Sequence, residues 1–178
     1  MPEVNPKLNA VAISGSPRAP SKSKLLAELM LRDLATQGLE TRMVDVAELP
    51  AEALVARAPA AEIDDAIAAV GAARIVIAAT PTYRALYTGV LKALFDLMPQ
   101  GHLAGKICVP VQTAASPAHF LAVEYGLRPL FASLDGIPVA GVYATDDQFA
   151  EGQPAEALRR RVRDVAAMAA TLARAAAG

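Results

Sequence analysis

Short apolar runs alternate along this chain with longer segments whose apolar residues recur every three or four positions. The short runs predict five strands, at residues 8–14, 40–46, 74–80, 106–113 and 137–144. The longer segments predict helices at residues 22–37, 59–73, 86–98, 116–135 and 154–177. The second strand alternates polar and apolar residues, which is typical of a strand near a sheet edge, whereas the others are almost continuously apolar.

Strands that alternate with helices predict a doubly wound α/β fold, in which helices cover both faces of a five-stranded parallel sheet. No repeat or change of composition marks a boundary, so we expect residues 1–178 to form a single domain. Ligands of such sheets bind beyond the carboxyl ends of the strands, where the strand order reverses. The loops at residues 14–23, 80–87 and 113–119 are therefore the expected place of a site.

The first loop, GSPRAPSKS, contains three hydroxyl side chains and one glycine. It lacks both glycine-rich nucleotide-binding patterns, G-x-G-x-x-G and G-x-x-x-x-G-K-[ST]. It offers instead the hydroxyls of Ser16, Ser21 and Ser23 and the guanidinium of Arg18, with Lys24 as a further candidate. Such donors at a helix N-terminus predict a phosphate monoester, as in FMN. The alternative is that Ser21 only caps the helix and the rest is a polar turn.

Composition and charge exclude several classes of function. Seventeen basic and eighteen acidic residues leave a net charge of −1, which argues against a nucleic-acid surface. The arginines at 159–161 and 163 predict a solvated helix face. The single cysteine, Cys108, lies in an apolar run and can form no internal disulfide. The first ten residues do not resemble a signal peptide, and no apolar run could span a bilayer, so we expect a cytoplasmic protein that binds no membrane.

Three segments carry a family resemblance: GSPRAPSKSKLL (15–26), ATPTYRALYTGVLKALFDLMP (79–99) and PAHFLAVEYGLRPLFASL (117–134). Together they resemble the NADPH-dependent FMN reductases, and most of all the flavin reductases that serve two-component alkanesulfonate monooxygenases. The likeness extends from Val11 to Asp147. It implies a flavodoxin-like fold, in agreement with the alternation of strands and helices.

The resemblance also implies which residues bind the flavin. Ser16, Arg18, Ser21 and Ser23 would hold the FMN phosphate. A second loop would pass along the isoalloxazine ring and the ribityl chain, and it consists of Pro81, Thr82, Tyr83 and Arg84. The alternative for Tyr83 is that its ring packs against the neighbouring helix.

The third loop departs from the family pattern. Related reductases often have Thr-Gly-Gly where this chain has Thr113, Ala114 and Ala115. Methyl groups there would narrow the approach to the ring or forbid a positive φ, which predicts weaker or altered FMN binding. The backbone amides at 114–116 would still face the flavin carbonyls. His119 follows, as a donor to the flavin or a helix cap.

The segment 116–135 is apolar at helical spacing but contains Pro129, which predicts a kink. In the resembled reductases an extra tyrosine at the position of Tyr125 opens a π-bulge at a subunit interface near the flavin. The resemblance therefore implies a homodimer or homotetramer, with FMN as a loosely held substrate. The alternative is an ordinary kinked core helix.

The three loops contain no Ser/His/Asp set, carboxylate pair or metal cluster, so no catalytic or metal-binding residue is assigned. The resemblance implies hydride transfer from NADPH or NADH to FMN, followed by supply of reduced flavin to a monooxygenase. One alternative is a reductase of quinones, azo dyes or metal ions with permanently bound FMN. Another is a flavodoxin-type electron carrier, against which the balanced charge argues.

Overall fold

A parallel sheet runs through the centre of the structure, a computed structural model that describes residues 8–176. Its strands are β1 (Asn9–Ser14), β2 (Glu40–Asp45), β3 (Ile75–Pro81), β4 (Ile107–Ala114), β5 (Ile137–Pro138) and β6 (Val142–Thr145). The order is β2-β1-β3-β4, and β5 and β6 share the fifth position beside β4. This is the flavodoxin-like order, which reverses between β1 and β3. The predicted fold class is confirmed, as is the edge position of β2.

Helices cover both faces of the sheet. They are α1 (Lys22–Thr36), α2 (Ala51–Leu54), α3 (Ala61–Ala72), α4 (Gly89–Asp96), α5 (Arg128–Ala132) and α6 (Glu156–Ala175). The helices α1 and α6 bury their apolar residues against one face, and α3, α4 and α5 against the other. None of the helices in the described part of the chain is long and apolar enough to cross a membrane.

Several element ends differ from the prediction. The helix predicted at 86–98 begins only at Gly89, because a tight turn at Tyr83–Leu86 precedes it, and it ends at Asp96. The last helix begins at Glu156, and position 177 of its predicted range lies outside the described residues, as do residues 1–7. The prediction lacked the short helix α2 and a hairpin of β7 (Phe149–Ala150) and β8 (Gln153–Pro154) before α6.

The strand predicted at 137–144 is wrong as a single element. Pro138 lies opposite Cys108, but Val142 lies opposite Val111, so the outer strand has one residue more than β4 between the two pairs. An extra residue of this kind interrupts the ladder of hydrogen bonds and bends the strand. The result is the break between β5 and β6.

Pro110 of β4 lies beside this break and explains why it falls there. Proline has no N–H to donate to a neighbouring strand. Gly141 packs so closely on it that a Cβ at this glycine would lie 2.1 Å from the Pro110 carbonyl oxygen. The two residues therefore fit together only because one lacks a side chain.

The segment predicted as one helix at 116–135 consists of three pieces. A 3-10 turn at Pro117–His119 is followed by a π-helical turn at Val123–Leu127 and then by α5. The irregularity therefore precedes Pro129 rather than centring on it. The Arg128 N–H donates to the Val123 carbonyl five residues earlier, which is the π-helical pattern. Pro129, the next residue, has no N–H and cannot make the α-helical bond to the Tyr125 carbonyl.

Candidate functional site

A cavity of about 400 Å³ opens at the carboxyl ends of β1, β3 and β4, where the strand order reverses. Small-molecule sites usually measure about 300–1,000 Å³. The cavity is lined by Ser16, Arg18, Pro20, Ser21, Lys22, Pro81, Thr82, Tyr83, Thr113, Ala114, Ala115 and Asp146. The three predicted loops thus meet around one space, and of the eleven predicted loop residues only Ser23 and Arg84 do not line it.

The base of the first loop is anchored to the sheet and to α4. The Gly15 N–H donates to the Ala79 carbonyl at 2.8 Å, and the Gly15 carbonyl accepts from the Thr88 hydroxyl. A Cβ at Gly15 would lie 2.6 Å from the Leu91 Cβ, so only glycine fits here. This glycine therefore serves close packing between loop and helix.

The serine hydroxyls hold the first loop in shape. Ser21 caps α1, because its Oγ accepts from the Lys24 N–H at 3.2 Å. Ser23 is buried, and its Oγ lies 3.1 Å from the Ser21 Oγ, so a hydrogen bond between the two hydroxyls holds the Ser21 side chain in place. The Ser16 Oγ donates to the Arg18 carbonyl at 3.0 Å. Ser21 is thus the cap of α1, and it also lines the cavity.

Charged side chains at the cavity differ in part from the expected set. Arg18 lines it, but Lys24 does not, because its Nζ lies 2.5 Å from the Asp45 carboxylate. This hydrogen bond raises the pKa of Lys24. The sequence reasoning missed Lys22, which lines the cavity and pairs with Asp146 at 2.9 Å. Asp146 directly follows β6, and the rule that ligands lie beyond strand ends could have found it.

The second loop makes a tight turn beside the cavity. The N–H of Tyr83 donates to the Leu86 carbonyl at 2.8 Å, and the reverse bond measures 3.2 Å. Arg84 and Ala85 have φ of 52° and 68°, as both central residues of a type I′ turn must. This turn carries Arg84 out of the cavity lining. Tyr83 is 41% exposed and lines the cavity, so it is not packed into the core.

The third loop accommodates its alanines. Neither Ala114 nor Ala115 has a positive φ, so the methyl groups cause no backbone strain. Both line the cavity, where they take up space that glycine would leave free. The loop is fixed by Tyr143, whose hydroxyl donates to the Ser116 carbonyl at 2.5 Å. Burial raises the pKa of Tyr143.

The π-helical turn contacts the second loop. A Cβ at Gly126 would lie 2.7 Å from the Leu86 Cδ1, which shows how closely the two segments approach. Tyr125 beside it is 77% exposed, and Phe120 and Leu121 are 55% and 45% exposed. We call these three residues and Leu86 the π-helix patch.

Neither histidine lies at the cavity. His119 ends the exposed 3-10 turn, and the His102 Nε2 lies 2.9 Å from the Ile67 carbonyl oxygen, which makes it a structural residue. Cys108 is buried within the sheet. Within residues 8–176, no group of three or more His, Cys, Asp or Glu side chains could hold a metal ion. The described lining offers hydroxyls, two cations, one carboxylate and a tyrosine, which suits binding and orientation of an anionic, aromatic ligand.

Comparison with known proteins gives consistent matches. Residues 8–151 match the family described as NADPH-dependent FMN reductase. An FMN reductase (NADPH) of Pseudomonas putida KT2440 is 38% identical over 162 residues, which cover 86% of this chain and 82% of the relative. The NADH-dependent FMN reductase SfnF of Pseudomonas fluorescens Pf0-1 is 34% identical over 171 residues, which cover 93% of this chain and 91% of that relative. Among solved structures, the apo form of the NADH:FMN oxidoreductase EMOB superposes with a TM-score of 0.85 and 34% identity, covering 91% of this chain and 88% of that one.

Proposed function

Because this chain belongs to the family of NADPH-dependent FMN reductases, we infer that it reduces FMN with NADPH or NADH and supplies the reduced flavin to a partner monooxygenase. Membership confirms the resemblance that the sequence showed. The observation that carries the proposal is the cavity in which three separate loops meet at the N-terminus of α1.

The donor set at one end of the cavity fits a phosphate monoester. The first amides of a helix have no acceptor within the helix and attract anions. Ser16 and Ser21, which carry hydroxyls, and Arg18, which carries a guanidinium, line the cavity, and Ser21 is the cap of α1. We propose that these groups hold the FMN phosphate, with Ser23 fixing the orientation of the Ser21 hydroxyl.

The remaining walls fit a flat aromatic ring. Pro81, Thr82 and Tyr83 form one part of this lining, and Thr113, Ala114 and Ala115 form the part beside it, since Pro81 pairs with Thr113 in the sheet. FMN, when bound, supplies the acceptor atom for hydride, the N5 of its ring. The chain's own part is to orient the ring and limit the access of water. Arg84, exposed on the turn, is available to an incoming nicotinamide nucleotide.

We propose further that the chain acts as one domain, that it functions in the cytoplasm, where NAD(P)H is available, and that it forms a homodimer or homotetramer through the π-helix patch. The exposure of Tyr125, Phe120 and Leu121 supports such an interface, because clustered exposed apolar residues are unusual on a monomer. The contact between Gly126 and Leu86 links this patch to the loop that carries Tyr83.

The test is steady-state oxidation of NADPH and of NADH with FMN, FAD and riboflavin compared. We expect FMN-dependent turnover, with a KM for FMN raised about tenfold or more in Arg18→Ala, because a charge-assisted hydrogen bond is lost. Protein that stays yellow through gel filtration would favour a permanently bound flavin over a substrate. A complete lack of FMN-dependent oxidation would overturn the proposed function.

A further inference from the structure

Lys22 and Asp146 meet at the cavity from distant parts of the chain. Lys22 is the first residue of α1, directly after the cap Ser21, and Asp146 begins the 3-10 turn after β6. The Lys22 Nζ lies 2.9 Å from an oxygen of Asp146 and 5.0 Å from the centre of the Phe149 ring. Both contacts stabilise the ammonium at the cavity wall.

The backbone on both sides of this pair is fixed. Ser21 holds the start of α1, and the Gln148 side chain accepts from the Thr145 N–H at 3.0 Å, which closes the turn that carries Asp146. A long lysine side chain can reach either the carboxylate or a ligand in the same cavity.

The charges of the lining do not favour tight retention of a phosphate. Arg18 and Lys22 are cations, but Asp146 lies in the same wall and pairs with one of them. A phosphate monoester carries a charge of roughly −1.5 to −2 at pH 7. It would bind most tightly if both cations were available and no carboxylate competed for them.

We propose that Lys22 is a second cation for the ligand's phosphate and that Asp146 competes for it, so that the pair sets a low affinity for a flavin that has to leave. This inference rests on the proposed function. Lys22 and Asp146 have side chains 37% and 55% exposed, and exposed ion pairs are weak enough to exchange partners. The neighbouring pair of Lys24 and Asp45, with exposures of 32% and 11%, is more enclosed and does not face the cavity.

The experiment measures the Kd of FMN and of riboflavin by quenching of flavin fluorescence at low salt. For Asp146→Asn we expect the Kd of FMN to fall about three- to tenfold, because Lys22 is released to the phosphate. For Lys22→Gln we expect a rise of similar size. The Kd of riboflavin, which has no phosphate, should change in neither variant, and the effects on FMN should shrink at high salt.

The matched control is Asp96→Asn. Asp96 also pairs with a lysine, Lys92, at 2.5 Å, with similar exposures of 42% and 59%, but neither residue lines the cavity. This variant should bind FMN like the unchanged protein. A double-mutant cycle completes the test: in a Lys22→Gln background, Asp146→Asn should tighten FMN little, because the carboxylate acts through the lysine.

The outcomes separate the two proposals. If the unchanged protein binds and reduces FMN but Asp146→Asn leaves its Kd unaltered, the charge competition is wrong and the proposed function stands. If Asp146→Asn lowers the Kd of FMN as much in the Lys22→Gln background as in the unchanged protein, Asp146 repels the phosphate directly. This result would also overturn the competition for Lys22. If the unchanged protein neither binds nor reduces FMN, the proposed function fails, and this inference fails with it.

Discussion

The side-chain amide of Gln112 donates a hydrogen bond to the hydroxyl of Thr82 across 2.9 Å and thereby joins β4 to the second loop of the cavity. The Thr82 N–H donates to the Thr113 carbonyl at 2.7 Å, so β4 holds this threonine by two groups. Gln112 is fully buried, and its Oε1 has no hydrogen-bond partner among the described residues. We therefore regard Gln112 as a positioning residue for the loop.

Replacement of Gln112 tests this role. Gln112→Met keeps the length of the side chain but removes the donor, so Thr82 should become less well held and the KM for FMN should rise about two- to tenfold, with kcat changed less. The free energy of unfolding should change by less than about 1 kcal/mol, because the unpartnered Oε1 is removed as well. Steady-state kinetics and urea unfolding measure the two effects.

The control for this prediction is Gln100→Met. Gln100 is exposed and donates to the Ser133 carbonyl at 3.2 Å, away from the cavity lining. The Gln100→Met variant should have the same KM for FMN as the unchanged protein. An unchanged KM in Gln112→Met too would mean that the backbone bond to Thr113 alone positions Thr82.

The break in the fifth strand gives a prediction about stability. Gly141→Ala places a methyl group 2.1 Å from a backbone oxygen of Pro110 and 2.5 Å from its ring, and neither can move without displacing β4. We expect a loss of more than about 3 kcal/mol in the free energy of unfolding. Gly89→Ala is the control, since no atom lies within 4 Å of its Cβ position, and it should stay within about 0.5 kcal/mol. Similar losses in both variants would argue against the contact with Pro110.

In the turn after Tyr83, a substitution should raise the free energy of unfolding, whereas Gly141→Ala should lower it. Ala85 is exposed and has a φ of 68°, a conformation that glycine adopts without a steric penalty. Ala85→Gly should therefore stabilise the protein by about 1 kcal/mol. Ala68→Gly, in the middle of α3 and also exposed, should destabilise it by about 1 kcal/mol, because glycine is a poor helix former. Urea unfolding of both variants checks the difference in sign, and destabilisation by Ala85→Gly would contradict the strain.

Periodicity predicted the sheet, its layers and the three loops, because each depends on residues near one another in sequence. The broken fifth strand was not predictable in this way, since it depends on the contact between Gly141 and Pro110 across two strands. The tight turn at Arg84 and Ala85 could not be predicted, because it lacks the Asn-Gly or Asp-Gly signal of type I′ turns. Here the surrounding structure, not local preference, holds two ordinary residues at positive φ.

The cavity could be predicted only in part for a similar reason. The serines and Arg18 lie within one short stretch of sequence, residues 16–23, and the sequence could indicate them. Lys22 and Asp146 are 124 positions apart, and only the fold brings them together. Lys24 lies close to the serines in sequence but does not line the cavity, because its ammonium pairs with Asp45 at the end of β2. The fold thus also excludes a donor that the sequence offered.

Cys108 should resist thiol reagents while the protein is folded. It is fully buried, and burial raises the pKa of its thiol to about 12, so almost no thiolate exists at pH 8. We expect iodoacetamide to label Cys108 only in urea above the unfolding transition, as followed by mass spectrometry. Labelling of the folded protein at the rate seen in urea would contradict the burial of this residue.

The same thiol should make the protein less stable in alkaline solution. In the unfolded chain a cysteine ionises near pH 8.5, whereas the folded thiol keeps its proton until about pH 12, so deprotonation stabilises only the unfolded state in between. Burial lowers the pKa of Lys106, so the folded state loses this proton first and the free energy of unfolding rises with pH, opposite to the effect of the thiol.

Comparison with Cys108→Ala, which retains Lys106, isolates the effect of the thiol. From pH 8 to pH 10 the unchanged protein should lose about 2 kcal/mol more in free energy of unfolding than Cys108→Ala does. Parallel pH profiles of the two proteins in urea unfolding would show that the folded thiol ionises as readily as the unfolded one.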